Sequence, residues 1–168
     1  MAEAITTLHA GLGFFGRAET AFAFLESFFK VALPEIDSAV LDPLHLQVPD
    51  QVTQDRAVIQ RVIEEIESEP RPKRRFLVVT ERAFDLTEPQ ARWDYTRLAY
   101  CSNQATVWSR GRRTTYFEVA DQDAATYWLP DSLKAAFFAQ LTADGWEIPS
   151  EWLAAIAKEP KPWWRRGV

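Results

Sequence analysis

The chain reads as an α+β fold: an antiparallel β-meander of about four strands packed against two N-terminal and two C-terminal helices. Three observations predict it. Apolar residues recur at helical spacing towards both ends, the period drops to 2 in the middle, and the loops there are too short for parallel crossovers. Runs of helix kept apart from runs of strand indicate α+β rather than alternating α/β.

The first element is residues 4–9, a short strand or an extra helical turn, followed by the flexible glycine stretch 11–16. Residues 17–33 then form a helix. Ala18, Ala21, Phe22, Leu25, Phe28, Phe29 and Ala32 fall on one stripe, and Pro34 stops it. Phe24 lies off that stripe, so a second face of the helix is expected to be covered as well. Residues 34–50 carry Pro34, Pro43 and Pro49 and read as a long connection. A second amphipathic helix spans 51–68, with Val52, Ile59, Val62, Ile63 and Ile66 buried and Asp50 as N-cap.

From Arg75 onward the pattern alternates. Four strands are predicted at 75–85, 92–101, 105–110 and 114–119, separated by turn signals at 87–90, 102–104 and 110–112. Residues 124–129 fit either class. Residues 131–143 form a helix with Asp131 as cap and Gly145 beyond its end, and 150–158 form a last short helix opened by Ser150. A single domain is expected over 1–159, followed by a Pro/Trp/Arg-rich tail, 160–168.

The net charge of −5 conceals a gradient: residues 1–70 carry −8, whereas residues 71–116 carry +6. Such a dipole either holds the two halves of a fold together or steers a charged partner. The single cysteine, Cys101, leaves no intramolecular disulfide or cysteine-rich zinc site. The N-terminus lacks a basic signal-peptide start, and no apolar run approaches the ~18–20 residues of a membrane span. A soluble, cytoplasmic protein is expected.

No catalytic or metal-binding constellation emerges from the residue pattern. His9 and His45 share a Leu-His setting, but Gly11 and Gln47 stand where a two-histidine phosphoesterase needs a hydroxyl residue. Cys101 sits in an apolar segment that suits a buried, inert thiol. The acidic run Glu64–Glu67 reads as a solvated helix end. Gly11–Gly16 has the GxGxxG form, yet Phe14 and Phe15 would crowd a phosphate, and the next element is a helix. No cofactor and no metal are expected.

Two features remain. In the tail, Trp163, Trp164, Arg165 and Arg166 combine residue types enriched at interface hot spots, with Arg110, Arg112 and Arg113 a second basic cluster. Together they predict a non-enzymatic binding or regulatory protein acting by protein–protein contact, of the inhibitor, immunity or accessory-factor type. The alternative is a single-stranded nucleic-acid binder whose sheet presents Trp93, Arg97, Trp108 and Arg110, because bases stack on aromatics while Arg follows phosphates. If 92–101 is a strand, Trp93 and Arg97 share one face.

Overall fold

The computed structural model describes residues 3–70, 73–74, 77–78, 81–121 and 124–158. Strand β1 (Ile5–His9) leads through a four-residue helix α1 (Leu12–Phe15) into α2 (Ala18–Ala32), and a 3₁₀ turn at Leu33–Glu35 feeds β2 (Ile36–Leu41). Helix α3 (Arg56–Ser68) precedes the short pair β3 (Lys73–Arg74) and β4 (Leu77–Val78), then β5 (Arg82–Phe84) and α4 (Pro89–Leu98). Strands β6 (Gln104–Ser109), β7 (Thr115–Ala120) and β8 (Ala124–Pro130) follow, and α5 (Asp131–Ala143) and α6 (Ser150–Lys158) complete the chain.

The main sheet has six strands in the order β1-β8-β7-β6-β2-β5, antiparallel throughout. This is the α+β architecture with an antiparallel sheet that the period change implies. Within it, β6, β7 and β8 are the meander, and β1 and β2 are added at its two sides.

The largest departure from the sequence reading is residues 92–101, expected as a strand and found as α4 continued by a 3₁₀ turn over Ala99–Cys101. Pro89 occupies the first turn of this helix, where its missing N–H costs nothing, so the segment read as a turn is a helix start. Tyr95, Leu98 and Ala99 are buried at i, i+3, i+4, the helical stripe hidden inside an apparent alternation. The segment 34–50 also departs from expectation, because Ile36–Leu41 between two prolines forms a strand, β2, lying between β6 and β5. The predicted strand 75–85 contains β4 and β5. Residues 124–129 fall in β8, and residues 4–9 contain the strand β1.

Helix α2 is the centre of the hydrophobic layer. It buries Phe22, Phe24, Leu25, Phe28 and Phe29, so both of its faces are covered, as Phe24's position requires. Phe28 meets Tyr127 of β8 and Phe137 of α5, while Phe29 meets Tyr95 of α4. Each such aromatic contributes roughly 1.5–3 kcal/mol by leaving water. In α6 a single residue, Trp152, is buried among the described side chains. It touches the rings of Phe14, Phe15, Phe24, Tyr127, Phe137 and Phe138.

Candidate functional site, the outer sheet face

Alternation along the strands sorts their side chains onto two faces. Leu8, Tyr127, Phe117, Val107, Ala39 and Phe84 line one row, matched by the register of all six strands, and face the helices. The next row, His9, Thr126, Glu118, Thr106, Val40 and Ala83, faces away from them. Beyond it lie Thr7 opposite Trp128, and Trp108 opposite both Ser38 and Thr115. A register shift between Val107 and Trp108 sets Thr115 against Trp108.

Trp108 and Trp128 are half-buried on this outer face, on strands flanking β7. Among the described residues neither packs on another ring, whereas Trp152 touches six and Trp146 lies 5.7 Å from Phe24. Glu118, half-buried, stands between Thr106 and Thr126. The outer face is therefore threonine-rich and carries two indoles and one carboxylate, and it is closed off at Val40 and Thr106, which are buried.

The β6–β7 connection closes one end of it. Ser109 N–H donates to the Thr114 carbonyl at 2.8 Å, and Thr114 N–H donates back to Ser109 Oγ at 2.8 Å. Between them Gly111 (φ 75°) and Arg112 (φ 52°) are consecutive left-handed residues, the requirement of a type I′ connection. Glycine meets it freely, while Arg112 holds a conformation that L-residues adopt rarely. The outcome is a fixed turn with Arg110, Arg112 and Arg113 all exposed. Arg112 Nε lies 3.6 Å from Asp37 Oδ2, a loose and solvent-exposed pair.

Of the residues nominated from the sequence, Arg110, Arg112, Arg113 and Trp108 come together here. Trp93 and Arg97 do not, which corrects their placement on a sheet face. They lie on α4, in the helical layer, where Arg97 stacks on Trp93 and pairs with Glu26. Trp163, Trp164, Arg165 and Arg166 lie outside the described residues. Trp128 and Thr115 were missed. The signal for Trp128 is the alternation of Ala125, Tyr127 and Leu129 against Thr126 and Trp128.

Cys101 is buried, and burial pushes its thiol up to about 12, so it stays protonated at neutral pH. His9 ends β1 on the outer face, while His45 lies in the loop after β2. Among the described residues no group of three or more His, Cys, Asp or Glu converges to hold a metal ion. No described helix is long and apolar enough to cross a membrane.

Two open clefts lie on the β2 side, the first in the helical layer and the second at the sheet edge. One, of about 280 Å³, lies between α2 and α4 and is floored by Phe29, Leu33, Pro89 and Trp93. The other, of about 400 Å³, begins at Leu33 and runs between Asp37–Ala39 of β2 and Phe84–Thr87. Ser38 lines the second cleft, and its Oγ is buried with no hydrogen-bond partner among the described residues. Comparison with family models, with curated proteins and with solved structures finds no match to this chain.

Proposed function

We propose that the chain is a non-enzymatic binding protein that acts by contact with another protein, of the inhibitor, immunity or accessory-factor type. The observation that carries the proposal is the placement of three exposed arginines on a hydrogen-bonded turn beside two half-buried indoles that have no ring partner among the described residues, on the outer sheet face. Arg and Trp are the side chains that most often dominate interface energetics. The complementary partner presents carboxylates to Arg110, Arg112 and Arg113 and apolar side chains to Trp108 and Trp128. The single buried thiol suits a reducing, cytosolic setting.

A single-stranded nucleic acid is the second reading, because indoles beside guanidinium groups also stack bases and hold phosphates. Glu118 counts against it. A carboxylate in the middle of the surface repels the phosphate chain that would have to cross it.

A photo-crosslinking residue at Thr126 tests both readings. Attachment of one protein, identified by mass spectrometry and lost in the R110E/R113E variant, is the expected result. Equal attachment from Glu65, on the exposed side of α3, would sink the protein reading. A labelled oligonucleotide that binds at low salt, weakens steeply with added salt and requires Trp108 would replace it with the second.

A further inference from the structure

We propose that the partner is held by strand addition: an extended, acidic segment pairs with the free edge of β2 at Ile36–Ser38. The inference rests on the reading that the arginine turn and Trp108 contact a protein, and it names how that protein is gripped.

Among the described residues the edge is free because β5 is stopped. β5 follows β2 only from Leu41↔Arg82 to Ala39↔Phe84. There Asp85 Oδ1 accepts hydrogen bonds from Thr87 N–H at 3.0 Å and Thr87 Oγ1 at 2.6 Å. The Glu88 N–H closes the turn on the Asp85 carbonyl at 3.1 Å, and Pro89 starts α4. This built turn carries the chain away while β2 continues beside β6, with Ser38 opposite Trp108 and, across a register shift at Asp37, Ile36 opposite Ser109. Among the described residues nothing pairs with β2 on its other side over Ile36–Ser38. Unpaired strand edges are ready templates for another chain.

Three features specify the occupant. The cleft of about 400 Å³ at this edge has room for backbone beside β2, and its own carboxylates, Asp37 and Asp85, place the acidic residues of the segment in its flanks rather than in the paired stretch. The Ser38 hydroxyl that borders the cleft is buried without a partner among the described residues, a costly state that an incoming donor or acceptor would relieve. The arginine turn lies at the same end of β2, where Arg112 is held only by its loose contact with Asp37. Carboxylates flanking the paired stretch would meet Arg110, Arg112 and Arg113. Past Leu33 the trough continues over Phe29, Pro89 and Trp93, which suits an apolar side chain at one end of the segment.

The test pans a random twelve-residue phage library against the full chain and remakes the enriched peptide with single backbone N-methylations. Strand addition uses the N–H groups of every second residue, so alternate N-methylations should each weaken binding about tenfold, the equivalent of one lost hydrogen bond, while those between have little effect. R110E/R113E should weaken the same peptide. Failure to enrich any peptide, a flat scan, or a period of three to four overturns strand addition. If the scan is flat but R110E/R113E still abolishes binding, strand addition fails alone. If the peptide ignores both R110E/R113E and Trp108→Ala, the protein-contact reading falls with it.

Discussion

The guanidinium carbon of Arg97 lies 4.3 Å from the centre of the Trp93 indole, with Phe22 at 5.5 Å on its other contact and Glu26 as its ion-pair partner. The Arg97 side chain is only 12% exposed. A desolvated cation over an aromatic ring is worth roughly 1–2 kcal/mol. These residues therefore hold α4 on α2.

The expectation is that Arg97→Met lowers the stability of the fold by about 1–2 kcal/mol without altering what the sheet face binds. Urea unfolding gives the first quantity, and the crosslinking yield from Thr126 gives the second. Loss of crosslinking in a variant that is still folded would return Arg97 to the binding surface.

What the sequence made legible follows the strength of its periodicity. Helices α2, α3, α5 and α6 have stripes long enough to fix their type, and β6 and β7 are short alternating runs around the Arg-Gly-Arg turn. Residues 92–101 misled because Trp93, Tyr95, Arg97 and Cys101 imitate a period of 2, and only tertiary packing selects Tyr95, Leu98 and Ala99 instead. β2 was hidden because the prolines around it, Pro34 and Pro43, mark its borders rather than a loop. At the candidate site the arginine turn could be named from its residues. Its company on the outer face could not, since the pairing of Trp108 with Ser38 and the burial of Ser38 Oγ depend on strand order.

Trp152 Nε1 donates a 2.8 Å hydrogen bond to the His9 carbonyl, joining α6 to the end of β1. It is also the one buried described side chain of its helix. Trp152→Phe should cost about 2 kcal/mol, from the lost hydrogen bond and the space left behind, and Trp152→Ala about 3–5 kcal/mol. The smaller loss corresponds to a fall in Tm of roughly 4–8 °C for a domain of this size. Hydrogen exchange should show residues 150–157 losing protection first. A change in Tm below a degree for Trp152→Phe would mean that α6 does not depend on this contact.

Three tyrosines are fully buried, and they differ in one respect. Tyr95 OH donates to the Val40 carbonyl at 3.2 Å and Tyr100 OH to the Ala10 carbonyl at 3.1 Å, while Tyr127 OH has no partner. Burial raises all three hydroxyls far above their ordinary pKa, so none ionises in the native state. Tyr100→Phe leaves a carbonyl unpaired and should cost about 1 kcal/mol. Tyr127→Phe removes only an unsatisfied group from among Phe28, Phe117, Phe137 and Trp152, and should be neutral or stabilising. Denaturant midpoints of the two variants decide the matter, and a larger loss for Tyr127→Phe would contradict the packing described.

Asp144 links the end of α5 to α2, accepting hydrogen bonds from Lys30 Nζ at 2.8 Å, Ser27 Oγ at 2.6 Å and Gln140 Nε2 at 2.9 Å. The Lys30 contact first, and the Ser27 hydroxyl second, hold its carboxyl below the usual carboxylate value. A group whose pKa is depressed on folding stabilises the native state while it is ionised. That contribution is fully present above the unfolded value of about 4 and fades as the pH falls through the lower folded value. The gap in Tm between the native chain and Asp144→Asn should therefore be largest at neutral pH and shrink below about pH 4. Added salt should narrow it as well, because Lys30 is exposed and its charge is screened. A gap that keeps its size from pH 7 to pH 3 would show that Asp144 acts through its hydrogen bonds alone, with the charge of Lys30 irrelevant to the α2–α5 contact.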